Sequence, residues 1–197
     1  FPRTPFGDDI ALKLAGAGGD GAQTAAMLIA RAAINEGFDA THIPSYGPES
    51  RGGPSYADVR VAREAVLSPA APHPHVRLAF NAPSLAKFGP TVEPGGVVVY
   101  DSSVITEPPQ VDPSVRLLGV PCAAIAQELG KSMVKNVVAL GALHGATGFF
   151  PDETYLAALR QALGGKADLW AVNEEAFKRG VAAVASPAGG GFFGWWS

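Results

Sequence analysis

A chain of 197 residues, 47% of them hydrophobic and 17% charged, is long enough to bury one sizeable core. Its net charge of −3 excludes a broad basic field for nucleic acid. No apolar run reaches the roughly 18 residues that would cross a membrane.

Ile10–Ala15 reads as a buried strand, Gly16–Gly21 as a glycine-rich turn, and Ala22–Glu36 as a helix with Met27, Ala30 and Ile34 at helical spacing, ended by Gly37. Phe38–Pro44 is a second strand, so the segment reads as one β-turn-α-β unit and predicts a parallel sheet. After the loop Ser45–Pro54, the stretch Ser55–Val61 alternates, with Tyr56, Asp58 and Arg60 on one face and Ala57, Val59 and Val61 on the other. Three prolines make Ser68–Pro74 a loop. Val76–Phe80, Val97–Tyr100 and Val115–Val120 are further buried strands, with Leu85–Phe88 a short helix. Ala123–Leu129, Met133–Ala146, Asp152–Leu163 (with Asp152 as its cap) and Asp168–Val184 are helices. The expected fold is α/β: a single Rossmann-like domain, residues 8–184, with a mostly parallel sheet flanked by helices. Residues 185–197 form a glycine hinge and aromatic tail.

The single cysteine, Cys122, can make neither an internal disulfide nor the four-thiolate set of an iron–sulfur cluster, and reads as a small buried core residue. The four histidines are scattered, without metal-ligand spacing. The start, Phe1-Pro2-Arg3-Thr4-Pro5, has neither a Met nor an apolar signal core. A processed or trimmed start and a cytoplasmic location are therefore expected.

Gly16-Ala17-Gly18-Gly19-Asp20-Gly21 fits G-x-G-x-x-G between a strand and a helix, a turn whose backbone N–H groups can approach a phosphate; a tight turn without a ligand has the same signature. NAD would require an acid at the end of the second strand, where Ile43-Pro44-Ser45-Tyr46 stand; Asp39 lies at the wrong end. Gly19-Asp20-Gly21 also opens like a thiamine-diphosphate motif. The closing Asn is absent from the matching interval, so this chain is not expected to hold that cofactor itself. Arg51, followed by Gly52 and Gly53, suits a phosphate, or a surface pair with Glu49.

Taken together, the glycine turn, Ser45-Tyr46-Gly47-Pro48-Glu49-Ser50-Arg51-Gly52-Gly53 and Val59-Arg60 resemble the γ subunit of pyruvate and 2-oxoglutarate:ferredoxin oxidoreductases. Pro94-Gly95-Gly96, Val120-Pro121 and Lys135-Asn136 leading into Ala139-Leu140-Gly141-Ala142 agree, and the resemblance covers about residues 8–182. Glu49-Ser50 favours the pyruvate, oxoglutarate and aryl-glyoxylate members over the indolepyruvate ones. His75 departs from a pattern that often has an Asp after a proline, and the tail is outside the motif set.

The resemblance implies a subunit that has no catalytic residue and binds no metal or cofactor alone. Its enzyme carries thiamine diphosphate, Mg2+ and [4Fe-4S] clusters on α, β and iron–sulfur (δ-type) subunits, takes coenzyme A as substrate, and passes electrons to ferredoxin or an NAD-reducing subunit. Carried over, the coenzyme A contacts fall on Gly18, Gly19, Asp20, Gly21, Ser50, Arg51 and Asn136. Asp20 is expected to turn from the phosphate and bond nearby backbone N–H groups. Tyr46, Glu49, Phe192, Phe193, Trp195 and Trp196 are expected at subunit interfaces. A stand-alone nucleotide-binding or regulatory domain remains the alternative, and the 2-oxoacid stays open.

Overall fold

The computed structural model describes residues 1–46, 54–88, 91–108 and 110–185. The strands are β1 (Asp9–Ala17), β2 (Asp39–Tyr46), β3 (Pro54–Ala62), β4 (Val76–Ala79), β5 (Val97–Asp101) and β6 (Arg116–Val120). The helices are α1 (Ala22–Asn35), α2 (Ala82–Phe88), α3 (Cys122–Glu128), α4 (Lys135–Thr147), α5 (Asp152–Leu163) and α6 (Ala167–Val184), with a 3-10 turn, Ser132–Val134, leading into α4.

The six strands lie in the order β2-β3-β1-β4-β5-β6. Pairs β1–β4, β4–β5 and β5–β6 are parallel, as the buried apolar strands predict. The first β-turn-α-β unit does not close as expected. β3 runs antiparallel to both β1 and β2 and stands between them, pairing Leu12 with Val59 and His42 with Val59 on its two sides. The alternation of Ser55–Val61 is the mark of such an antiparallel strand.

One face of the sheet, carrying Ile10, Leu12, Leu14, Ala57, Val59, Val76, Leu78, Val97 and Val99, forms the main core with α1 and α3–α6. The other face carries Ala79 and Val98 against Leu85 of α2 in a smaller core. It also carries a buried row of charges. Lys13 faces Asp58 on one neighbouring strand and Arg77 on the other, and its ammonium lies 3.1 Å from Asp58. Arg77 is fully buried and donates to the carbonyls of Lys13, Leu78 and Ser84. Burial pulls its pKa down to about 9 against the opposing pull of Asp58, so it stays charged at neutral pH.

The buried stripe of α1 is not the expected one. Met27 and Ile34 are exposed, while Ala25, Leu28, Ile29, Ala32 and Ala33 are buried. Alanines let the helix lie close on the sheet, so the longer side chains are displaced outward. Asp152 is the first residue of α5 rather than its cap, and its carboxylate pairs with the buried His144 of α4 at 2.5 Å. Cys122 is buried as expected, its thiol pushed well above the usual range by burial and by Asp101.

Helices α4 and α6 pack through glycines. A Cβ on Gly141 would overlap the carbonyl of Phe177, and one on Gly180 would overlap the carbonyl of Val138. Gly180→Ala is therefore expected to cost about 2 kcal/mol despite its better helix propensity, lowering Tm by roughly 4–8 °C. Gly165→Ala, where an added Cβ meets nothing within 4 Å, is the control in the same calorimetric scan.

His75 is built into the sheet at the entrance to β4. Its Nδ1 accepts the Ala11 N–H at 2.9 Å and its ring stacks on Phe6. Nδ1 can accept only while unprotonated, so the neutral Nε2–H tautomer is held. Burial lowers its pKa from the usual 6.5, with Arg60 assisting and Glu93 and Asp9 opposing. A histidine with a lowered folded-state value stabilises fully above pH 6.5 and loses that contribution as the pH falls toward the lowered value. Tm should thus drop as the pH falls below about 6.5. His75→Gln, which keeps an acceptor but does not titrate, should shrink that drop.

Candidate anion site at the sheet edge

Chain direction places a crevice at the carboxyl ends of β1 and β4. After β1 the chain turns to α1 on the main-core face; after β4 it turns to α2 on the other. β1 is flanked outward by β3 and β4 by β5, so the strand order diverges here, where open α/β sheets bind ligands.

The glycine turn forms one wall of the crevice. Gly19 and Gly21 have φ of 88° and 87°, left-handed values that suit glycine. At Gly16 a Cβ would come within 2.8 Å of Asp20 Oδ2 and 3.0 Å of Phe80 Cβ. Asp20 behaves as expected from its place in a turn: its Oδ2 accepts the Ala17 N–H at 2.8 Å, and its own N–H donates to the Ala17 carbonyl. The partner of its second oxygen lies 115 residues away and left no local signal in the turn. Lys135 Nζ donates to Asp20 Oδ1 at 2.5 Å, with both side chains largely buried.

Asn136, the next residue, faces Gly21. A Cβ on Gly21 would approach its Cβ at 2.7 Å and its Nδ2 at 2.9 Å. Asn136 is 9% exposed. The first turns of α1 and α4 thus meet at one edge. Neither has a side-chain cap or an acidic residue in its first turn. The Lys135 N–H is taken by the Ser132 carbonyl of the 3-10 turn that runs into α4, whereas α1 starts directly from Gly21. The positive ends of both helix dipoles favour negative charge there.

Gln23 holds the turn to the antiparallel strands. Its Nε2 donates to Ser55 Oγ and the Tyr56 carbonyl, which fixes the amide so that Oε1 accepts from His42 Nε2 at 2.9 Å. Burial lowers the pKa of His42. Tyr46 pairs with Ser55 and Pro54 with Ala17, so both ends of the intervening loop meet the edge that carries the glycine turn. Ser50, Arg51 and Glu49 lie outside the described residues, as do the Tyr46 side chain, Phe192, Phe193, Trp195 and Trp196. Of the expected coenzyme A contacts, the structure therefore brings together Gly18, Gly19, Asp20, Gly21 and Asn136. Asp39, rejected above as a ribose ligand, accepts the Val66 N–H beside the opposite end of β2. Among the described residues no three His, Cys, Asp or Glu side chains gather to hold a metal, and no helix is long and apolar enough to cross a membrane.

The family model described as pyruvate ferredoxin/flavodoxin oxidoreductase matches residues 11–183. The chain belongs to that family. Within the pyruvate ferredoxin/flavodoxin oxidoreductase family it is 36% identical over 175 residues to the VorA subunit of ketoisovalerate oxidoreductase from Methanothermobacter marburgensis. That match covers 88% of this chain but 36% of the relative, so the chain spans about a third of its length. The keto/oxoacid ferredoxin oxidoreductase γ subunit from Geobacter sulfurreducens shares the fold with a TM-score of 0.75 and 28% identity, covering 89% of this chain and 98% of that one. The 2-oxoglutarate:ferredoxin oxidoreductase from Magnetococcus marinus, solved with 2-oxoglutarate, coenzyme A and succinyl-CoA bound, gives a TM-score of 0.82 and 28% identity. It covers 90% of this chain and 31% of that one. The family fold thus matches both a nearly whole separate chain and about a third of longer ones.

Gly21→Ala is expected to impose left-handed strain of roughly 1–2 kcal/mol and to push Asn136 aside. Thermal unfolding should report the first effect, and a shifted Asn136 side-chain amide resonance the second. An unshifted resonance would mean that Gly21 is not what positions Asn136.

Proposed function

We propose that this chain is the γ component of a 2-oxoacid:ferredoxin oxidoreductase and helps bind coenzyme A for oxidative decarboxylation of a 2-oxoacid to an acyl-CoA. The observation that carries the reading is the convergence of the first turns of α1 and α4, the Gly18–Gly21 turn and the buried Asn136 at one sheet edge. Backbone N–H groups there suit the phosphates of coenzyme A, and the Asn136 amide suits a further polar contact. The same reading assigns a charge-assisted pair with a phosphate to Arg51, which lies outside the described residues. The coenzyme A named in the Magnetococcus marinus structure is in keeping with this.

The donor set of this chain does not fit the rest of the chemistry. One cysteine, itself buried, falls short of the four thiolates of a [4Fe-4S] cluster. On this reading thiamine diphosphate with its Mg2+, and the clusters, belong to α-, β- and δ-type subunits in the cytoplasm, with ferredoxin or an NAD-reducing subunit as acceptor. Phe192, Phe193, Trp195 and Trp196 are assigned to contacts with those subunits.

In the assembled enzyme, Asn136→Ala and Arg51→Ala should each raise KM for coenzyme A by roughly 10–150-fold, the effect of losing a charge-assisted or buried hydrogen bond. KM for the 2-oxoacid should hold. If both variants leave the coenzyme A dependence intact and the complex falls apart, these residues are interface elements. A chain that purifies alone, colourless and binding a nucleotide, would favour a stand-alone domain.

A further inference from the structure

Lys135 is a cation in the first turn of α4, the end where the helix dipole already disfavours positive charge. A lysine in that place is stabilised only by a nearby anion. The chain supplies one from 115 residues away, Asp20, at 2.5 Å. Asp20 holds two donors at once, Lys135 through Oδ1 and the Ala17 N–H through Oδ2. Its carboxylate thus stands as an internal anion beside the glycine turn, next to the buried Asn136 that packs on Gly21.

We propose that Lys135 is a ligand-binding residue that Asp20 keeps in reserve: an incoming phosphate group takes the ammonium from Asp20, which keeps the Ala17 N–H and so leaves the turn folded. The two bonds of Asp20 are on different oxygens, so one can be surrendered without the other. Lysine carries its charge on a flexible four-carbon stem, so the ammonium can swing between two acceptors in one crevice. The exchange makes the site selective. A ligand must out-compete a carboxylate, which a diphosphate does by its greater charge and a lone carboxylate such as that of a 2-oxoacid does not. This rests on the reading of the crevice as the coenzyme A phosphate site.

The test is calorimetric titration of the full chain in its native complex with coenzyme A and with inorganic pyrophosphate, at low and high salt. Lys135→Met should weaken both ligands by about tenfold and flatten the salt dependence, while Lys135→Arg recovers most of the loss. Asp20→Asn, which keeps an acceptor for Ala17, should tighten both by several-fold, and should do little in the Lys135→Met background. Wild-type affinity in Lys135→Met, with Asn136→Ala still weakened, would overturn the role of Lys135 while leaving the site in place. Wild-type affinity in both would remove the site itself. Equal tightening by Asp20→Asn with and without Lys135 would show simple repulsion of the phosphate and overturn the exchange.

Discussion

No Cβ stands at Gly21, and the meeting of two helices at the carboxyl edge of the sheet depends on that. The backbone there is left-handed, and the space a side chain would fill is taken by Asn136. With the two first turns in contact, Lys135 comes within reach of Asp20, and Asp20 in turn pins the Ala17 amide. Gly16 performs the matching service on the other side of Asp20, leaving room between that carboxylate and Phe80. The local chemistry of the crevice follows from two missing side chains.

The second organising element is the antiparallel strand β3. By entering between β1 and β2 it sets Asp58 against Lys13, with Arg77 on the far side, so three charges share one row inside the sheet. Burying such groups is expensive unless each is bonded, and here the guanidinium is spent on three backbone carbonyls. The row restricts register as well. A one-residue slip of β3 would turn Asp58 to the apolar face and leave both cations without it.

Much of this was legible in the sequence because it is local. The strand, glycine turn and helix at residues 10–36, and the late helices, follow from period and from glycine placement. The behaviour of Asp20 followed from its position in a turn. What escaped depends on partners far along the chain. The place of β3 is settled by pairing with strands on both sides, and the alternation of Tyr56, Asp58 and Arg60 was the available clue. The buried stripe of α1 is hard to read because ten of its fourteen residues are apolar, and size as well as polarity decides which face packs. Lys135 left a signal of its own, a positive charge at the wrong end of a helix, a local conflict of the kind that functional sites carry.

Helix α4 is buried without a break from Asn136 to Ala146. Its seam with α6 brings backbone against backbone at Gly141 and Gly180. A helix enclosed in this way has no route to fray on its own; its amides exchange only when the whole domain opens. Lys135 and Asn136 hang from the first turn of that helix, so a ligand held there is coupled to global rather than local opening. Occupancy of the crevice would then appear as slowed hydrogen exchange throughout the main core, far from any atom the ligand touches.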